Sequence, residues 1–189
     1  MEDGLMNRIF DGGIEEFKEA GIKFTMDSLA KRIGISKRTL YETITSKNKL
    51  IDMMIDRTFA DVKRQQKEIL SKPDLEMVER LKQLFNVVPT YADVLDYRRM
   101  NELKMAYPQL YKKVQKQLEA DWEPTIALLN QAMEEGVIRK TNVVIIKLML
   151  CEVYEQLING QILIKNNISY ENAMNEMISI IFEGLLVRK

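Results

Sequence analysis

Residues 25–50 read TMDSLAKRIGISKRTLYETITSKNKL. Met26–Ile33 is a short amphipathic segment, Gly34-Ile35-Ser36 interrupts it, and Lys37–Ile44 is a second short segment. Ser46-Lys47 then opens a long helical pattern. Leu29, Ala30 and Ile33 share one face at helical spacing, and the small Ala30 lets a second helix approach closely. Gly34 ends the first helix at a point where the chain must turn left-handed, which glycine does at little cost. Ile35 plugs the space between the helices, and Ser36 can cap the next one by accepting from free N–H groups. Leu40 and Ile44 then face inward. This is the grammar of a helix-turn-helix, the unit that lays its second helix in the DNA major groove.

The outward residues fit that partner. Lys37, Arg38, Thr39, Tyr41 and Thr43 remain free to face solvent, and cations, hydroxyls and a phenol suit phosphates and base edges. Ser46 is placed to cap the following helix, with Lys47 at its N-terminal end, where a phosphate would meet free N–H groups and a cation. The whole chain balances 28 Lys+Arg against 28 Asp+Glu. Between Lys31 and Leu50, however, Lys31, Arg32, Lys37, Arg38, Lys47 and Lys49 are opposed by Glu42 alone. The expected DNA-facing set is Thr25, Ser36, Lys37, Arg38, Thr39, Tyr41, Thr43 and Lys47.

Residues 9–50 resemble the N-terminal DNA-binding domain of TetR/AcrR-family transcriptional regulators. The resemblance rests on an ordered series: an apolar first helix ending in F-x-x-x-G (Phe17 to Gly21), a Thr before the second helix (Thr25), Leu29-Ala30, Gly34-Ile35-Ser36, Thr39-Leu40-Tyr41, and S-K-x-x-L (Ser46 to Leu50). Three places depart from the pattern. Gly12-Gly13 replace alanines in the first helix, Thr43-Ile44 replace an aromatic pair, and Arg38 replaces a glycine. The resemblance implies an all-α fold, with a three-helix DNA-binding domain over residues 1–48 and a ligand-binding and dimerisation bundle over 49–189, about nine helices in total. It further implies a homodimer that binds a palindromic double-stranded operator, most often as a repressor, and is released by a small, mostly apolar effector.

Composition agrees with a helical protein. The chain has 189 residues, is 46% hydrophobic, and contains only 4 Pro and 8 Gly. The single Cys151 excludes an internal disulfide and suits a reducing cytoplasm. Residues 1–20 carry Glu2, Asp3, Asp11, Glu15, Glu16 and Glu19, so no basic-then-apolar leader is expected. The absence of His removes the commonest general base and metal ligand. No phosphate loop, metal-spaced cluster or nucleophile elbow is present, and Glu134-Glu135 read as solvated carboxylates near a helix end. The reading is therefore not an enzyme, and no cofactor is implied.

Beyond the helix-turn-helix, helical periodicity predicts segments over 47–70, 75–91, 94–106, 109–135 with a kink at Pro124, 141–165 and 169–187. Asp74 is placed to cap the second of these. Residues 143–164 are strongly apolar, but Lys147, Glu152 and Glu155 lie within the run, which argues for a buried helix rather than a membrane span. The last two segments have apolar faces to bury. The resemblance assigns them to a dimer interface through Met149, Val153, Ile158, Met174, Ile178, Ile181 and Leu185; packing within one chain is the alternative. Aromatic and methionine residues suit an adaptable apolar pocket, and the candidates are Phe85, Tyr91, Tyr97, Met100, Tyr107, Trp122, Met133 and Tyr154. The same residues also fit plain core. The competing functional reading is a helical small-molecule-binding or protein-interaction module that has lost specific DNA binding, with neutral charge and Thr43 in its favour.

Overall fold

Each short helix at the start of the chain is set by a local signal. A computed structural model describes residues 2–90, 97–159 and 161–187. Its eleven α-helices, among the described residues, begin with α1 (Glu2–Ala20), α2 (Met26–Arg32), α3 (Lys37–Thr43) and α4 (Lys47–Ser71). They continue with α5 (Met77–Phe85), α6 (Tyr97–Ala106), α7 (Pro108–Glu119) and α8 (Glu123–Glu134). The last three are α9 (Val143–Asn159), α10 (Gln161–Lys165) and α11 (Tyr170–Leu185). A 3-10 turn, Gly21–Lys23, joins α1 to α2. The chain is all-α.

Two compact units are formed. The first comprises residues 1–60 and 89–114, and the second residues 61–88 and 115–189, so the unbroken α4 belongs to both. In the first unit α1 packs on α2, α2 on α3, and both α1 and α6 on the 3-10 turn. Its core includes Ile9, Phe10, Ile14, Phe17, Leu29, Ala30, Leu40, Ile44, Leu50 and Met54, all buried. α1 is continuous through Gly12-Gly13 because α2 and α4 press closely there. A Cβ on Gly12 would overlap Ile33 Cγ2, and one on Gly13 would lie 3.2 Å from Met54 Sδ.

In the second unit α5 packs on α8 and α11, and α8 on α9. The core is built on Leu81, Phe85, Leu129, Ile138, Leu150 and Phe182, each no more than 2% exposed. The Phe85 and Phe182 rings lie 5.6 Å apart at 45°.

Three expected boundaries are corrected. Residues 109–135 form two helices, not one kinked one. Asp121 turns left-handed at φ 59°, and Pro124 lies in the first turn of α8, where a missing N–H costs nothing. α5 is shorter than the 75–91 segment: it begins after Glu76 with no side-chain cap, so Asp74 does not cap it, and it ends at Asn86 before Pro89. The 141–165 segment starts at Val143, where the Asn142 side-chain oxygen accepts from Val144 N–H (2.9 Å); residue 160, between α9 and α10, lies outside the described residues.

Candidate nucleic-acid interface

The recognition unit is assembled from caps. Thr25 opens α2 with a reciprocal capping box: its hydroxyl accepts from Ser28 N–H at 3.0 Å, and Ser28 Oγ accepts from Thr25 N–H at 3.1 Å. Gly34, at φ +67°, ends α2, and Ile35 N–H returns to the Ala30 carbonyl at 3.0 Å. Ser36 opens α3, accepting from Thr39 N–H at 3.0 Å, and its hydroxyl lies 2.8 Å from Thr39 Oγ1. Leu40 and Ile44 anchor α3 at 0% and 1% exposure.

That anchoring fixes what α3 exposes. Lys37 and Arg38 are exposed, Tyr41 is 40% exposed, and Thr39 and Thr43 are half-buried at the edge. Lys37 Nζ pairs with Asp27 at 2.8 Å, which holds its pKa above the ordinary lysine value, and Arg38 Nε pairs with Glu42 at 2.8 Å. Both pairs are open to water and weakly held, so exchanging a carboxylate for a phosphate costs little. Thr43 donates back to the Thr39 carbonyl at 2.9 Å.

Lys47 is placed differently. Its ammonium donates to the Phe24 carbonyl at 2.6 Å and to the Ile22 carbonyl, and lies 4.4 Å from the centre of the Phe24 ring. Burial lowers its pKa. Its charge thus ties the start of α4 to the turn before α2. Ser46 accepts from Lys49 N–H at 3.1 Å in the first turn of α4.

Sequence reading missed the network beneath this face. Glu16 of α1 is only 6% exposed; its carboxylate accepts from Arg32 Nε at 2.6 Å and from the Ser28 hydroxyl. Burial pushes that carboxyl up, but Ser28 and Arg32 more than offset it, leaving its pKa below the ordinary value. Ser28 carried a local signal as the fourth member of a T-x-x-S capping box; Glu16 carried none.

The candidate pocket residues fall in both units. Phe85, Trp122, Met133 and Tyr154 meet in or against the core of the second. There Tyr154 donates to the Phe85 carbonyl at 2.7 Å, burial raises its phenol pKa, and Trp122 Nε1 donates to the Leu118 carbonyl at 3.0 Å. Met100, buried, and Tyr107, half-buried, belong to the first unit. Tyr91 lies outside the described residues, as does the side chain of Tyr97, which begins α6. A cleft of about 570 Å³ in the second unit is lined instead by α4, α5 and α11, including Gln65, Glu68, Lys82, Asn86 and Asn175.

Of the seven residues expected at a dimer interface, Met174, Ile178 and Leu185 are in the core of this chain and Ile158 is buried, while Val153 and Ile181 pack partly against the core. Only Met149, at 53% exposure, faces outward, and it shares its stripe on α9 with Val144, Ile145 and Leu148. Those four residues are covered within this chain, while Ile180 of α11 is 62% exposed.

A capped recognition helix, anchored by Leu40 and presenting cations and hydroxyls, defines a helix-turn-helix DNA-binding protein. Residues 9–54 match the family of bacterial regulatory proteins, tetR family. The chain is 26% identical over 168 residues to the uncharacterized HTH-type transcriptional regulator YvaF of Bacillus subtilis, covering 89% of this chain and 88% of that protein. Its fold resembles that of a TetR-family transcriptional regulator from Cytophaga hutchinsonii, with TM-score 0.73 at 17% identity over 100% of this chain and 98% of that one. It also resembles the transcriptional regulator FadR from Bacillus subtilis, solved with stearoyl-CoA, with TM-score 0.62 at 15% identity over 94% and 98% of the two chains. Residues 9–54 are thus similar to the DNA-binding domain of tetR-family regulators, and most of the chain is similar to an HTH-type transcriptional regulator. Among the described residues, no helix is long and apolar enough to cross a membrane.

Proposed function

We propose that this chain is a cytoplasmic repressor that binds a palindromic operator as a homodimer and is released by a small, mostly apolar effector held in residues 49–189, with residues 1–48 as the DNA-binding domain. The observation that carries the DNA part is the exposed face of α3. Lys37, Arg38, Thr39, Tyr41 and Thr43 are held outward by Leu40 and Ile44, and Thr25 and Ser36 stand at the N-termini that would meet phosphates. Lys47 serves the same face by holding the start of α4 to the turn before α2. One recognition helix reads few base pairs, so two copies about one DNA turn apart supply the specificity.

The second copy is supported by the outward apolar stripe Val144, Ile145, Leu148 and Met149 on α9, which is 50–63% exposed in the single chain. The effector reading draws on the aromatic and methionine content of the second unit around Phe85, Trp122, Met133 and Tyr154, and on the acyl-CoA bound by the structurally similar FadR. An effector acts by favouring one spacing of the recognition helices over another, and α4, shared by both units, is the natural link.

The test is binding of the purified protein to DNA from upstream of its own gene, against scrambled DNA, at two salt concentrations. Selective binding with a steep salt dependence is the expected result. Equal affinity for both DNAs, together with failure to select any duplex from a random pool, would leave the reading without support.

A further inference from the structure

Gly21 closes the F-x-x-x-G motif, yet no DNA-facing group of α3 depends on it directly. Its surroundings come from far along the chain. Gly21 sits at φ +58°, and a Cβ there would overlap Glu102 Oε2 and Arg99 Nη1, both on α6. Glu102 Oε2 accepts from Ile22 N–H at 2.9 Å, eighty residues away in sequence. Arg99 Nη2 donates to the Lys18 and Glu19 carbonyls at 2.6 and 2.9 Å, in the last turn of α1. Arg99 Nη1 lies 3.6 Å from Glu102 Oε1, so the two side chains also steady each other. The Ile22 carbonyl is in turn taken by Lys47 of α4. Ile22 is thus gripped on its N–H by α6 and on its C=O by α4, and the cap of α2, Thr25, follows three residues later.

We propose that Arg99 and Glu102 are positioning residues for DNA recognition. They lock the turn from which α2 springs, and because α3 packs on α2, they set the angle at which α3 meets the groove. Glycine at position 21 is the opening through which the two side chains reach the backbone. The assignment rests on the DNA-binding reading of α3 and deepens it. The physical cause is an unpaired donor: without the Glu102 carboxylate, the part-buried Ile22 N–H loses its acceptor, and the turn can regain one only by moving. A displacement of about 1 Å in such a frame is enough to misplace bidentate contacts to base edges.

The test uses the full chain and a duplex that the wild type selects from a random-sequence pool. Glu102→Ala should bind it about tenfold more weakly, equivalent to about 1.4 kcal/mol. Glu102→Gln keeps an oxygen for the Ile22 N–H and should stay within about twofold of wild type. The slope of log affinity against log salt should be the same in all three proteins, because no phosphate contact is removed. Amide exchange at Ile22 should quicken in Glu102→Ala and stay slow in Glu102→Gln. The assignment is overturned by wild-type affinity in Glu102→Ala, by equal losses in the two variants, or by a changed salt slope. A wild type that selects no duplex overturns the DNA reading beneath it, whereas a wild type that binds beside an unimpaired Glu102→Ala overturns the latch alone.

Discussion

Gly12 and Gly13 stand side by side in α1, and alanine is expected to act on them with opposite sign. Both are helical, so alanine adds about 1 kcal/mol of helix propensity at either position. At Gly12 the new methyl would overlap Ile33 Cγ2 and lie 3.0 Å from Leu29 Cδ1. Leu29 is 0% exposed, and Ile33 Cγ2 is a branch methyl held close to the backbone, so neither yields without moving α2. Overpacking of that kind costs about 1–3 kcal/mol, which leaves Gly12→Ala destabilised by roughly 0–2 kcal/mol. At Gly13 the nearest atom is Met54 Sδ at 3.2 Å, followed by Leu50 methyls at 3.7 Å. A flexible thioether can retreat by a few tenths of an ångström, so Gly13→Ala should gain about 0.5–1 kcal/mol. The single tryptophan, Trp122, lies in the other compact unit and would report the wrong part of the chain. Amide exchange along α1 and α2 reads the relevant unit directly. Slower exchange in Gly12→Ala than in wild type, or faster exchange in Gly13→Ala, would refute the packing argument.

Four further outcomes are expected. Lys37→Ala and Arg38→Ala should each weaken operator binding and lower the salt slope by about one unit, as loss of a phosphate contact does. Lys47→Ala should weaken binding across all sequences with little change in slope, since its ammonium is spent on the Ile22 and Phe24 carbonyls; titrations at several salt concentrations separate the two behaviours. Glu16 has a folded pKa below its unfolded value of about 4.5, so its contribution is complete above that pH and is lost as pH falls through the lowered folded value; Glu16→Gln should therefore flatten the acid limb of a stability–pH curve below about pH 4.5 and lower stability at neutral pH. Leu148→Glu, on the outward stripe of α9, should shift sedimentation from dimer to monomer while helical content is kept, and an unchanged dimer would remove α9 from the interface.

The recognition unit was legible because its signals are local. Thr25, Gly34 and Ser36 act within three or four residues of themselves, and the structure realises each as cap, stop and cap. The helix limits of the longer chain were read less well. Pro124 within an apolar helical pattern suggests a kink, but a proline says only that its own N–H is missing; the left-handed Asp121 decides that a new helix starts there. Gly12 and Gly13 looked like a weakness in α1. They are contact points, which propensity cannot distinguish without knowing that Ile33 and Met54 lie opposite. Glu16, Arg99 and Glu102 were missed because an ordinary charged residue on a helix looks the same whether it is solvated or holds a backbone group eighty positions away.

Membership of a DNA-binding class follows from twenty-six consecutive residues, since caps, turns and helical periodicity are short-range forces written in the order in which they act. The apolar pattern of the last helices settles much less. Periodicity tells that a face will be buried, because leaving it in water costs free energy, but any apolar surface can cover it. The packing of α5, α8 and α11 hides Met174, Ile178 and Leu185 within the chain, and leaves Val144, Ile145, Leu148 and Met149 of α9 outside it. Which face meets its own chain and which is left for another depends on every helix at once, and so is decided only when the helices are assembled.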